Sequence, residues 1–227
     1  MPGSCDTVLG ASAASPCAAL MRRSVLAVWP AATRGSQEAY GRIVHACQNT
    51  VTAIARNPEK IAKAANVIPT KGDASDEAAL ARLLKGHDAA ISSIHFLASD
   101  PAKLIGAAKA SGVARYLVVG GAGSLEVAPG VRLVTTPNFP AQYKAEAEKG
   151  GAFLDLLRQE KELNWTFISP SALFAPGERT GKFRLGTDQL LTGADGKSWI
   201  SFEDYAVALA DEIEKPAHIR KRFTVGY

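Results

Sequence analysis

The chain has 227 residues, 47% hydrophobic and 21% charged, with a formal net charge of +4. This composition supports a sizeable buried core and excludes a disordered or fibrous chain. No run approaches the roughly 18 uninterrupted apolar residues of a membrane span. Lys and Arg are scattered among Asp and Glu with no stripe to follow a phosphate backbone, so neither membrane nor nucleic acid is an expected partner.

Residues 1–20 are small, polar and aperiodic, and 1–23 read as a poorly ordered extension ahead of one domain over 24–227. Cys5, Cys17 and Cys47 are odd in number, with no C-x-x-C pair and no His at ligand spacing, which argues against a disulfide framework and a metal site. Met21-Arg22-Arg23 before an apolar run has the look of an export signal. The run SVLAVW is equally a buried first strand, however, and the arginines stand well inside the chain, so the expected location is the cytoplasm.

After the first strand, residues 36–47 carry only a poorly periodic helical pattern, VTAIA at 51–55 is the second strand, and 66–69 the third. Lys71-Gly72-Asp73 forms a turn, and Ala79, Leu80, Leu83 and Leu84 recur at helical spacing. Ala89 to Ile94 is a fourth strand, and Pro101 opens a helix that Gly112 closes. Tyr116 to Val119 is the fifth strand, running into Gly120-Gly121-Ala122-Gly123, where glycines let backbone approach something bound. A helix over 141–160 and a strand over 165–168 follow. The last sixty or so residues are glycine-punctuated and loop-rich, with a capping box at Ser201 to Asp204 opening a helix before a final strand at 223–225. Alternating strands and helices predict an α/β fold with a doubly wound parallel sheet, ending in a small loop-rich substrate region.

In such a sheet ligands sit at the carboxyl ends of the strands, near the point where strand order reverses. That rule selects Arg56, Asp73, Ser92 to His95, Gly120 to Ser124, and Pro170 to Phe174.

The strings VTAIARNPEK, KGDASD, LVVGGAGSLEVAPG, FPAQYKAEA, WTFISPSALFAPGERTG and WISFEDYAVALADEIEKPAHIRKRFTVGY, in that order, resemble the atypical short-chain dehydrogenase/reductase family. Within it they resemble the NAD(P)H-binding, NmrA-like branch that includes NADH-flavin reductase-like and sugar-epimerase-like proteins. The likeness spans 51–227. It implies a Rossmann fold whose first turn carries a G-x-x-G-x-x-G motif against the cofactor's pyrophosphate. By the family's spacing, Ala31-Ala32-Thr33-Arg34 stand where Gly-Ala-Thr-Gly is expected, with Gly35 the nearby glycine. The resemblance makes Ala31, Thr33, Arg34 and Gly35 the phosphate loop, with a Cβ where close approach is wanted. Two origins of residues 1–49 stay open: a shifted reading frame, or divergent replacement of the first βα unit. Sequencing the coding DNA separates them.

The resemblance places Arg56 where such folds choose between cofactors. None of Ala55, Arg56 and Asn57 is acidic, which favours NADP(H) over NAD(H), with a solvated arginine as the alternative. Asp73 resembles the family's adenine contact, or is a simple turn-former. Ser92, Ser93, Gly120, Gly121 and Pro170 complete the expected cofactor contacts. For catalysis the family commonly uses a Ser with a Tyr-x-x-x-Lys set, the lysine lowering the tyrosine's pKa. Here Lys144 directly follows Tyr143 and Ala147 lies four residues on, so the pair cannot share a helical face. Ser124, Tyr143, Lys144 and His95 are the catalytic candidates, and Phe174 or Phe183 is either an apolar substrate wall or core.

The expected function is hydride transfer from NAD(P)H to a flavin, quinone or small carbonyl acceptor, in a chain that forms a homodimer. The alternative is a non-catalytic NmrA-like protein that senses NAD(P). A third reading has cofactor binding abolished by the altered first turn.

Overall fold

The computed structural model describes residues 24–28, 50–61 and 63–227. The readings of 1–23 as an extension, of 36–47 as a helix, and of Ala31, Thr33, Arg34 and Gly35 as a phosphate loop fall outside the described residues.

Twelve described strands occur in chain order: β1 (Ser24–Val28), β2 (Thr50–Ala55), β3 (Val67–Lys71), β4 (Ala89–Ser92), β5 (Arg115–Val119), β6 (Glu126–Ala128), β7 (Val131–Arg132), β8 (Trp165–Pro170), β9 (Leu173–Ala175), β10 (Arg184–Gly186), β11 (Trp199–Ser201) and β12 (Lys221–Gly226). Four described α-helices join them: α1 (Glu77–Leu84), α2 (Pro101–Ser111), α3 (Ala141–Gln159) and α4 (Phe202–Glu214). The main sheet runs β10-β12-β8-β5-β4-β1-β2-β3, and only β10 is antiparallel to its neighbour. This is the doubly wound architecture expected, with order reversing at β1 between β2 and β4.

Both faces of the central strands are covered; every residue of β4 and β8 is buried. Pleating sends Tyr116, Val118 and Phe167 to one face, against Leu80, Leu104, Phe153, Leu154 and Leu157. It sends Leu117, Ile168 and Phe223 to the other, against Tyr205, Leu209 and Ile213 of α4. Each such large side chain stabilises by about 1.5–3 kcal/mol relative to exposure.

Caps fix the helix boundaries. Asp76 accepts from the Ala79 N–H at 2.9 Å, Asp100 accepts from Ala102 at 2.9 Å, and Gly112 closes α2 in the left-handed conformation at φ 71°. Ser201 caps α4 as predicted by accepting from the Asp204 N–H at 3.0 Å. The Asp204 carboxylate does not complete the box. It accepts instead from the Thr180 hydroxyl, from the Gly181 N–H at 2.8 Å and from the Tyr227 hydroxyl at 2.7 Å, tying the loop and the last residue to α4.

At the amino ends of β5 and β8, Arg115 and Glu212 form a buried pair at 2.9 Å, and the Glu212 carboxylate also meets His218 Nδ1 at 2.8 Å. Burial pushes the Glu212 carboxyl up, but His218, Arg115 and the Ala217 N–H together hold it below the usual value. A depressed folded-state pKa contributes stability that is full above the unfolded value of about 4.3 and lost as pH falls through the folded value. Glu212→Gln should therefore cost about 3 kcal/mol near neutrality, by urea unfolding, because Arg115 stays buried without its anion. The variant should also lose part of the wild type's destabilisation between about pH 4.5 and 3; an unchanged acid slope would remove Glu212 from this role.

Candidate functional site

A pocket of about 410 Å³ opens at the carboxyl end of β5. Its floor is Gly121 to Ser124; its walls are Leu133, Thr136, Asn138, Phe139 and Pro140 on one side and Tyr143, Glu146 and Ala147 of α3 on the other. Phe96, from the loop after β4, closes it. A mostly apolar hollow with a few polar groups at the edge of a parallel sheet has the character of a small-molecule site.

Phe96 is held in three ways. Its ring stacks on Phe167 with centroids 6.3 Å apart and meets Phe153 edge-on at 6.0 Å. Its N–H donates to Glu146 Oε1 at 2.6 Å while the Leu97 N–H donates to Oε2 at 2.9 Å. Gly150 leaves room for it, since a Cβ there would lie 2.8 Å from the ring.

The glycine run after β5 differs in part from the expectation of backbone bared to a ligand. A Cβ on Gly120 would lie 2.2 Å from the Phe167 ring, and one on Gly123 would lie 2.5 Å from the Ala147 Cβ. Both glycines are spent on internal packing. Gly121 alone of the three has open space, its nearest neighbour being Phe96 at 3.9 Å.

The predicted catalytic residues are only partly brought together. Ser124 and Tyr143 line the pocket, Tyr143 with 61% of its surface exposed. Lys144 is exposed and outside the lining. His95 also lies outside it: its side chain is 71% exposed and its Nδ1 sits 3.4 Å from Glu146 Oε1. The neighbouring Phe96 takes the inward position instead. Phe174 packs on Phe202 and Tyr205 of α4, and Phe174 and Phe183 are partly buried against the same core; neither lines the pocket at β5.

The residues expected to contact the cofactor follow strands at the same edge of the sheet. Arg56 follows β2, is exposed, and makes no hydrogen bond or ion pair among the described residues. Asp73 follows β3, and its carboxylate accepts from the Ser75 N–H at 2.9 Å and hydroxyl at 2.8 Å, which hold its carboxyl below the usual value. That is the turn-former's bonding pattern. Gly72 lets this turn lie on β2, because a Cβ would come 2.7 Å from Ile54. Ser92 is buried, Ser93 is half-buried after β4, and Pro170 is buried at the end of β8. The nearby Arg56 guanidinium adds a weaker electrostatic lowering of the Asp73 carboxyl.

The profile of a family described as NAD(P)H-binding matches residues 39–216. The chain belongs to the NAD(P)H-binding family. It is 40% identical over 182 residues to the uncharacterised protein YwnB of Bacillus subtilis (strain 168), an alignment covering 77% of this chain and 85% of that one. Among solved structures, a candidate epimerase from Bacteroides thetaiotaomicron is 36% identical with a TM-score of 0.84, covering 91% of this chain and 98% of the other. A candidate NADH-flavin reductase from Streptococcus pneumoniae TIGR4 is 32% identical with a TM-score of 0.70, covering 90% and 99%. Among the described residues, no helix is long and apolar enough to cross a membrane, and no cluster of His, Cys, Asp or Glu has metal-binding geometry.

Glu146, Phe139, Pro140 and Leu133 were not singled out from the sequence. Glu146 lies one helical turn beyond Tyr143, which put it within reach of notice, but its partners come from another part of the chain. Glu146→Ala should cost about 2 kcal/mol of stability, since two N–H donors lose a charged acceptor. Hydrogen exchange at Phe96 and Leu97 should accelerate in that variant; unchanged exchange there would show the loop to be held by the aromatic stack alone.

Proposed function

We propose that this protein is an NAD(P)H-dependent oxidoreductase that reduces an apolar carbonyl, quinone or flavin acceptor seated against Gly121 to Ser124. The observation that carries the reading is the apolar pocket at the carboxyl end of β5, alongside the family's nucleotide edge. The likeness to the streptococcal NADH-flavin reductase supports the reaction type. Bound NAD(P)H supplies the hydride. Arg56 would hold its 2′-phosphate, which is the ground for favouring NADP(H). Gly121 admits a planar group close to the backbone, and Phe96, Phe139 and Pro140 exclude water around it.

Proton supply is the step at which this chain departs from the Tyr-x-x-x-Lys scheme. Tyr143 lines the pocket, but Ala147 occupies the position of the motif's lysine and packs on Gly123. The reading therefore gives Ser124 the hydrogen bond to the acceptor oxygen and leaves protonation to water, which suits quinones and flavins.

Titration with NADPH and NADH, followed by tryptophan fluorescence, tests the cofactor reading. Arg56→Ala should weaken NADPH by about tenfold and leave NADH unchanged, as expected for loss of a charge-assisted contact. With menadione or flavin mononucleotide present, NADPH absorbance should then fall catalytically. Binding without turnover of any acceptor would favour the NAD(P)-sensing alternative. No binding of either nucleotide at millimolar concentration would overturn both.

A further inference from the structure

Behind the pocket floor lies a buried arginine that the proposed chemistry has not yet used. Arg222, on β12, is buried between β8 and the loop carrying residue 188. Its Nη1 donates to Ser124 Oγ at 3.3 Å and to Ser169 Oγ at 3.4 Å, and its Nη2 reaches the Ser124 carbonyl at 3.5 Å. Its Nε donates to Asp188 Oδ1 at 2.8 Å, and Nη2 donates to the same oxygen. Asp188 is itself fixed, because its carbonyl accepts from the Glu126 N–H at 2.8 Å and its carboxylate also accepts from Arg158 at 2.9 Å. The guanidinium is thus anchored on one side and aimed at Ser124 on the other.

A guanidinium can only donate, so Ser124 Oγ must accept from it. The Ser124 hydroxyl proton has no acceptor among the described residues, although Ser124 lines the pocket. We propose that Arg222 is a positioning residue: it holds Ser124 by an oxygen lone pair, so that the hydroxyl presents its proton to a ligand oxygen. The site then selects acceptors that carry an unprotonated carbonyl or quinone oxygen. This rests on the oxidoreductase reading for its chemical meaning, but the hydrogen bond itself is measurable without turnover.

The test compares two probes of similar shape, menadione and 2-methylnaphthalene, the second lacking both oxygens. Their affinities are measured by ligand-observed NMR in the presence of NADP+ for wild type, Ser124→Ala, Arg222→Met, Arg222→Lys and the double variant Ser124→Ala/Arg222→Met. Wild type should prefer menadione by about five- to tenfold, the worth of one net hydrogen bond. Ser124→Ala and Arg222→Met should each remove that preference, and the double variant should lose no more than either single one. Asp188 keeps Arg158 in the methionine variant, and Arg222→Lys keeps the ion pair as a check on folding. A lysine that serves Asp188 has no second rigid arm for Ser124, so it should restore thermal stability without restoring the preference. Retention of the preference in folded Arg222→Met or Arg222→Lys would show a merely structural arginine and overturn the proposal. So would a wild type that binds neither probe or binds both alike. If wild type shows the preference yet oxidises no NADPH with any quinone, flavin or carbonyl acceptor, the oxidoreductase reading falls while the Arg222–Ser124 assignment stands.

Discussion

The shape of the pocket depends on one aromatic contact. Phe96 arrives from the loop after β4 and lies near-parallel and offset to Phe167 of β8, so a strand-end loop is pinned to the sheet interior rather than left to wander over its edge. That contact exists only because Gly120 and Gly150 carry no Cβ where the Phe167 and Phe96 rings lie. Glu146 then locks the loop to α3 through two backbone N–H groups. Stack, glycines and carboxylate act on the same few residues, and the open volume beside them is what remains once they have packed.

The parallel sheet imposes a second constraint. Buried on both faces, it can meet a ligand only at its carboxyl edge, where Arg56, Asp73, Ser93 and Gly121 emerge from successive strands. The two buried arginines of the sheet each stand in a polar cluster. At the amino ends Arg115, Glu212 and His218 form one, away from the pocket lining. From the start of β12 Arg222 reaches Asp188 and Ser124 to form another, which abuts it. The first ties α4 to the sheet; the second includes Ser124, which lines the pocket.

The small C-terminal region is held by its own chain end. Tyr227 lies edge-on to Trp199 at 4.5 Å, its hydroxyl meets Ser201 and Asp204, and its carbonyl accepts from Arg184. Phe174 belongs to this assembly, packed against Phe202 and Tyr205. Its place against α4 goes with the parallel pairing of β9 with β11.

The sequence by itself determined the architecture, because burial on both faces writes apolar runs, helices write a 3.6-residue period, and caps such as Pro101 and Gly112 mark boundaries within a few residues. It also placed Arg56, Asp73 and Ser124 correctly at strand ends, since that follows from topology alone. It could not separate His95 from Phe96, adjacent residues whose order of facing is set by the Phe167 ring and by Glu146, fifty residues away in sequence. Nor could it distinguish glycines serving a ligand from glycines serving a core ring, because both demand a missing Cβ. Arg222 and Ser124 lie 98 residues apart. Only the tertiary structure brings them together, because contacts across the sheet leave no periodic trace in either segment.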